Sequence, residues 1–277
     1  MKILIFGAAG FIGSHLARHA QAAGHSVAGF CRSGKVRGFE GECHSWSLGG
    51  SLDDVAIQGA DGALHLAHDF DGEKGAERTL TGTIEAVRRL QQAGVQRQVV
   101  YSSYSAGPHA SSLYGRTKMA LEQQLLGMPG VVVVRPGLVL GEGGIYGRIR
   151  SFVRLSPLVP LPDGGRGKVP VIEIGRLCEQ TLLIAAASSP KSEYNLFEND
   201  LLSLRQIVQE AALEAGRSAL VLPLPSSLVL LGLRLTAALR LPLPVNADNL
   251  AGFLANQEAT HQSSMMEPVG SLPASGV

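Results

Sequence analysis

The sequence predicts an α/β fold built on a doubly wound parallel sheet, and three observations lead there. Short apolar runs alternate with longer amphipathic ones, glycine or polar residues bound those runs, and a glycine turn separates the first run from the first amphipathic stretch. Runs of this kind suit strands buried on both faces of a parallel sheet, and their alternation with helical patterns implies right-handed crossovers. Strands are expected at residues 3–6, 26–30, 63–67, 98–102 and 131–135. A helix over 73–92 is stopped at Ala93-Gly94, where glycine can take the left-handed conformation that ends helices. After Pro136 the rhythm breaks: a glycine-rich stretch at 141–147 precedes a helix through Phe152 and a Pro/Gly-rich excursion at 157–167. The pattern resumes with a strand at 169–174, a helix at 177–187, a strand at 194–197 and helices at 203–215, 228–239 and 247–254.

This rhythm divides the chain. Residues 1–136 are expected to form a nucleotide-binding core, completed by about 169–200, with 137–168 and 201–257 making a small substrate-binding region. Residues 258–277, rich in Ser, Gly, Pro and Met, are expected to form a flexible tail.

Composition narrows the function classes. With 277 residues, 45% of them hydrophobic, the chain can bury a large core, and a net charge of +1 gives no global reason to expect nucleic acid or an anionic membrane as partner. Cys31, Cys43 and Cys178 lie far apart without CxxC spacing, which suits free thiols in a reducing compartment. No metal site is expected, because His68 and the nearby aspartates find no further ligands at suitable spacing. The opening apolar run is too short for a secretory core, so a cytoplasmic protein is expected. Region 220–243 is the most apolar, but Pro223, Pro225, Pro242, Arg234 and Arg240 interrupt it, leaving no span of about 20 apolar residues to cross a membrane. Packing within the substrate region is the simpler account of its helices, the alternative being an exposed face for a partner or membrane surface.

The chemistry begins at Gly7-Ala-Ala-Gly10-Phe-Ile-Gly13, between the first strand and a helix carrying Ile12, Leu16 and Ala20 at helical spacing. In that context Gly7 allows the tight turn, Gly10 lets a pyrophosphate approach the backbone and Gly13 lets helix and sheet pack closely. Ala9 occupies the place of another glycine, and the helix N-terminus offers N–H groups and positive dipole. The fold is therefore expected to be Rossmann-type, with Gly7, Ala9, Gly10, Phe11, Ile12 and Gly13 binding a dinucleotide. At the end of the second strand, where an acidic residue would hold the adenosine ribose of NAD, Cys31 and Arg32 stand instead. Arg32, with Lys35 and Arg37 nearby, suits the 2′-phosphate of NADP, so NADP is expected over NAD.

Tyr114-Gly-Arg-Thr-Lys118 opens a helical pattern, and the i,i+4 spacing puts the ammonium near the phenol. A cation there favours phenolate, which makes Tyr114 the proton-transfer group and Lys118 its tuner. Ser102-Ser103 ends the strand at 98–102, at the carboxyl edge of the sheet, where Ser103 can hold a substrate oxygen.

Taken in order, GAAGFIG at 7–13, HLA at 65–67, SS at 102–103, YGRTK at 114–118 and RPG at 135–137 resemble the short-chain dehydrogenase/reductase family. The length favours its extended or atypical branch, the NAD(P)-dependent epimerase/dehydratase-like proteins. Gly82-Thr83, VPVIEI at 169–174 and YNLF at 194–197 are similar to landmarks of that branch. The resemblance implies catalysis by Ser103, Tyr114 and Lys118, cofactor contacts from Ala67, His68 and Pro136 as well as from Tyr114 and Lys118, and a homodimer formed through the helices flanking the Tyr114 layer. The implied function is an NADP-dependent oxidoreductase or epimerase-type enzyme that moves hydride to or from a carbonyl or alcohol carbon. Arg148, Arg150, Arg154, Arg166 and Lys168 would suit an anionic substrate such as a nucleotide sugar, and His68, Asp69 and Asp71 stand at the crevice edge. The rival reading is a non-catalytic NADP(H)-binding redox sensor or assembly scaffold. Its support is a short Ser103-to-Tyr114 interval and Thr79 where the family often has asparagine.

Overall fold

Strand β1 (Lys2–Phe6) sends Ile3 and Ile5 into one core and Leu4 and Phe6 into another, all four essentially inaccessible to solvent. A strand alternates its side chains between two faces, so four consecutive apolar residues require cover on both. That cover is present in this computed structural model, which describes residues 1–238, 248, 250, 252 and 262–266.

From β1 the chain runs through α1 (Phe11–Ala22), β2 (Ser26–Cys31), β3 (Glu42–Ser45), α2 (Asp54–Ile57), β4 (Gly62–His65), α3 (Gly72–Gln92), β5 (Arg97–Tyr101), α4 (Leu113–Leu125) and β6 (Val131–Pro136). It continues with β7 (Leu138–Leu140), α5 (Gly144–Leu155), β8 (Leu158–Pro162), β9 (Lys168–Val169), β10 (Val171–Glu173), α6 (Ile174–Ala186) and β11 (Glu193–Leu196). The last described elements are β12 (Leu202–Ser203), α7 (Leu204–Glu214), β13 (Leu220–Leu224) and α8 (Ser226–Ala238).

Seven strands form one parallel sheet in the order β11-β6-β5-β4-β1-β2-β3. The order reverses at β1, whose neighbours are β2 and β4, and a doubly wound sheet opens its ligand crevice beyond the carboxyl ends of the strands at that switch. Leu16 and Ala20 of α1 and Leu177 and Ile184 of α6 cover the face of Ile3 and Ile5. On the opposite face, Ala86 and Leu90 of α3 meet Leu4 and Phe6, while Val87 packs with Leu121 and Leu125 of α4. The expected Rossmann-type sheet is the one observed.

A second core lies apart from the sheet. Tyr146, Ile149 and Val153 of α5 pack with Ile207, Val208 and Ala211 of α7 and with Val159 and Val221 of β8 and β13. Helix α7 begins at a capping box, in which the Ser203 hydroxyl accepts from the Gln206 N–H and the Gln206 side chain accepts from the Ser203 N–H.

Three local expectations need correction. Residues 169–174, read as one strand, are two: Pro170 has no N–H to give a ladder. Val169 therefore pairs antiparallel with Leu202, whereas Val171 to Glu173 pair parallel with β7. The Pro/Gly-rich excursion contains β8, which pairs in parallel with β13. Within the expected tail, residues 262–266 are docked. The Ser264 N–H donates to the Asn195 carbonyl (2.9 Å), the Met266 N–H donates to Gln180 Oε1 (2.6 Å), and Met265 and Met266 pack against the main core. Strand β11 is a sheet edge with open backbone groups, which this segment satisfies. The rest of the tail lies outside the described residues, as does most of the helix expected at 247–254. Among the described residues, no helix is long and apolar enough to cross a membrane, and no group of three His, Cys, Asp or Glu side chains is placed to hold a metal.

Candidate active site

The glycine turn stands at the carboxyl end of β1, against the end of β4. A Cβ on Gly7, whose φ is +89°, would lie 2.7 Å from the Ala67 nitrogen, and one on Gly13 would lie 2.3 Å from the Gly7 carbonyl oxygen. Only glycine permits both approaches. Gly10 is exposed and caps α1 with no side chain, and the first turn holds no acidic residue, so the N–H groups of Phe11, Ile12 and Gly13 are left for a ligand. Ala9 is exposed beside Gly10, Ile12 packs inward on the main core, and the Phe11 ring fills the space over Gly143, where a Cβ would come within 2.3 Å of it. The glycine-rich stretch after β7 is thus the seat of a side chain from the glycine turn.

The proton-transfer residues expected from the sequence converge. Ser103 follows β5, Tyr114 sits in the first turn of α4, and the Ser103 hydroxyl hydrogen-bonds the phenol. Burial pushes the phenol up to about 12 even though that hydrogen bond pulls it down. Lys118 is buried one turn on; its Nζ donates to the Tyr101 carbonyl (2.7 Å) and stands 5.8 Å from the centre of the Tyr114 ring. Burial lowers the Lys118 ammonium to about 8, against the raising influence of the Glu122 charge. Ser103 Oγ also accepts from the Ser105 N–H (3.1 Å), and the Ser102 hydroxyl beside it is buried without a hydrogen-bond partner. Pro136 ends β6 near this group, its carbonyl accepting from the Tyr104 N–H (3.1 Å).

The loop after β4 divides its expected residues. His68 faces the site: its ring lies edge-on to Tyr114 at 4.8 Å, and its Nδ1 is buried without a hydrogen-bond partner. Burial, with help from the Lys118 charge, holds this imidazole down at about 3, so it is neutral near pH 7. Asp69 and Asp71 instead pair with Arg78 (2.8 and 2.9 Å), and Thr79 Oγ1 accepts from the Asp69 N–H. They hold the loop in shape rather than reaching into the crevice. Phe70, which the sequence reading passed over, is exposed and roughly parallel to Tyr114 with ring centres 6.1 Å apart.

Asp248 was also missed. Its carboxylate accepts from the N–H groups of Leu113 (2.8 Å) and Tyr114 (3.5 Å), while Ser112 Oγ accepts from Gly115 (3.0 Å). The α4 N-terminus is therefore fully occupied by the protein, in contrast to that of α1. Replacing Asp248 by alanine is expected to remove about 1–2 kcal/mol of stability, as losing a charged helix cap does. Thermal unfolding checks this, and an unchanged midpoint would show that the contact carries nothing.

At the end of β2, exposed Arg32 lines a cavity of about 400 Å³ with Ser45, Trp46, Ser47, Gly50 and Ser51. No carboxylate is among these residues. On the substrate side, Arg148, Arg154, Arg166 and Lys168 are exposed, whereas Arg150 is engaged by Glu214 (3.1 Å) and Glu142 (3.7 Å). Chemically, the crevice offers amides and dipole for a diphosphate, an uncharged phenol linked to a serine hydroxyl, and a buried ammonium behind them.

Residues 3–154, more than half of the chain, match the model of the NAD dependent epimerase/dehydratase family. The chain belongs to that family. Its resemblance to the extended short-chain dehydrogenase/reductases is thereby borne out, and the family is one of enzymes. Among curated proteins, an uncharacterized protein of Schizosaccharomyces pombe, C2A9.02, is 33% identical over 117 residues, a match that spans 38% of each chain. Among solved structures, MoeE5 in complex with UDP-glucose and NAD is 24% identical, with a TM-score of 0.65 over 81% of this chain and 85% of that one. The UDP-glucose 4-epimerase of Thermotoga maritima, solved with UDP-glucose, is 20% identical, with a TM-score of 0.68 over 81% of this chain and 86% of that one. At these identities the structural likeness establishes the epimerase/dehydratase fold.

Proposed function

We propose that this protein is an NADP-dependent oxidoreductase or epimerase-type enzyme acting on a carbonyl or alcohol carbon, with a nucleotide sugar as its substrate class. The observation that carries the reading is the hydrogen-bonded Ser103–Tyr114 pair backed by buried Lys118, at the same carboxyl edge of the sheet as an uncapped helix N-terminus. The residues present fit a nicotinamide dinucleotide: a cradle closed to any Cβ at Gly7 and Gly13 and the bare amides of α1 for its diphosphate, with Ala67, His68 and Pro136 bordering the same crevice. When bound, that cofactor supplies or accepts the hydride.

The chain's own groups handle the proton. Ser103 holds the reacting oxygen by a hydrogen bond, and Tyr114 gives it a proton in reduction or takes one in oxidation. Lys118 fixes its ammonium through the Tyr101 carbonyl and favours the phenolate when that form is needed. His68 remains neutral, and its unpaired Nδ1 is directed to bound ligand. The preference for NADP rests on the Arg32 cavity, whose guanidinium and serine hydroxyls suit a 2′-phosphate and whose lining lacks the carboxylate that a free ribose hydroxyl pair would want. MoeE5 was solved with UDP-glucose and NAD and the Thermotoga maritima epimerase with UDP-glucose, which supports a nicotinamide dinucleotide and a nucleotide sugar as the classes to test.

Titrating NADPH and NADH by calorimetry tests the first half. The parent is expected to bind NADPH more tightly, and Arg32→Ala to weaken NADPH by about 10- to 100-fold, as losing a charge-assisted contact does, while leaving NADH unchanged. Equal affinities, indifferent to Arg32, would overturn the NADP preference. Following NADPH oxidation against sugar nucleotides, ketones and aldehydes tests the second half; tight NADPH binding with no turnover across the panel would favour the sensor reading.

A further inference from the structure

Between Arg217 and Asp248 the chain has eleven leucines and only two charged residues, Arg234 and Arg240. Much of its described part, up to Ala238, is on the surface. Leu228, Leu231 and Leu235 lie along one side of α8, each more than half exposed (54%, 52% and 56%). Leu220 and Leu222 of β13 and Leu158 of β8 add the outer side of the two-stranded sheet that packs against the same helix. The second core lies beneath, where Val159 and Val221 point inward. Exposed leucines gathered on one helix and on the strands it packs against mark an interaction site.

We propose that this face docks the protein on an anionic lipid bilayer. Two observations choose lipid over another protein. Protein interfaces are anchored by Trp, Tyr and Phe and are poor in leucine hot spots, and no aromatic residue occurs between Phe197 and Phe253. The charge is also uneven: no acidic residue lies between Glu214 and Asp248 in the chain, whereas Arg217 and Arg154, both exposed, precede the paired strands β13 and β8, and the carboxylate at the start of α8, Asp163, is engaged by the Ser226 hydroxyl (2.7 Å). Leucines that enter the acyl boundary beside arginines that meet headgroup phosphates are the pattern of an interfacial contact, which needs no membrane-crossing helix. The near-neutral whole chain hides this local asymmetry.

Co-sedimentation of the full chain with vesicles tests the proposal. Binding is expected to phosphatidylcholine vesicles containing phosphatidylglycerol, to weaken with added salt, and to be weak on phosphatidylcholine alone. The triple variant Leu228→Ser, Leu231→Ser, Leu235→Ser should lose about tenfold or more in partitioning. Its side chains are each more than half exposed, and an unchanged thermal midpoint would show that the fold is intact. No pelleting with anionic vesicles, or equal pelleting of parent and variant, would overturn the proposal. So would a dimer in sedimentation velocity that the triple variant dissociates, since the face would then belong to a second copy of the chain.

Discussion

Replacing Glu122 by alanine is expected to destabilise the protein by about 3–5 kcal/mol, the range for removing one partner of a buried ion pair. Glu122 on α4 receives both Nε (2.8 Å) and Nη2 (2.6 Å) of Arg135 on β6, and the two side chains are only 8% and 11% exposed. Without the carboxylate, the guanidinium keeps only Glu193, which is half exposed, and a long contact of 3.4 Å to Asn195. The pair clamps the helix that carries Tyr114 and Lys118 to the sheet. Its loss is felt at the site too, because the Glu122 charge supports the Lys118 ammonium. Urea unfolding measures the effect, and the double variant Glu122→Ala, Arg135→Met should recover part of it by removing the stranded charge. A loss below about 1 kcal/mol in the single variant would show that Arg135 finds adequate partners without Glu122.

The sheet's central strands were legible because a strand buried on both faces must be apolar throughout. The runs at β1, β2, β4, β5 and β6 meet that demand over most of their length, the buried exceptions His65 and Gln98 hydrogen-bonding each other (2.9 Å) and Arg135 pairing with Glu122, and each observed strand lies within a residue or two of its expected place. Strand β3 was not legible: Glu42-Cys-His-Ser45 is polar, short and paired only with β2 at the sheet edge, so it has no hydrophobic period to show. The β8 and β13 pair was hidden by Pro160, Pro162 and Pro223, which an isolated two-stranded edge tolerates, and by a partner distant in sequence.

In the site, Ser103, Tyr114 and Lys118 could be read because local spacing sets them: a strand end, a helix start and one helical turn. His68 could be placed at the crevice edge, but not against the Tyr114 ring, since that contact depends on how the loop after β4 bends around the Asp69–Arg78 pair. Asp248 left no local signal at all. It reaches Leu113 across 135 residues, and an aspartate between Asn246 and Asn249 looks the same whether it caps a distant helix or faces water.

In Tyr114→Phe, turnover is expected to fall by about 10²- to 10⁴-fold, the usual contribution of a positioned acid–base group, with NADPH affinity little changed. The structure also assigns the pH dependence. With the phenol pushed up to about 12, Tyr114 is protonated at pH 7 and ready to donate, so reduction needs no further tuning. Oxidation needs the phenolate, whose fraction grows about tenfold per pH unit below the phenol's pKa, so the oxidative rate should climb with that slope. The climb should slacken above about pH 8, where Lys118 gives up the proton whose charge favours phenolate. Phenylalanine has no proton to exchange, so the variant's residual rate should be flat over the same range. Steady-state rates in both directions from pH 6 to about pH 10 would show this. A variant turning over at the parent rate, or one retaining the parent's pH profile, would remove Tyr114 from the chemistry and leave the Ser103–Lys118 neighbourhood as a binding surface only.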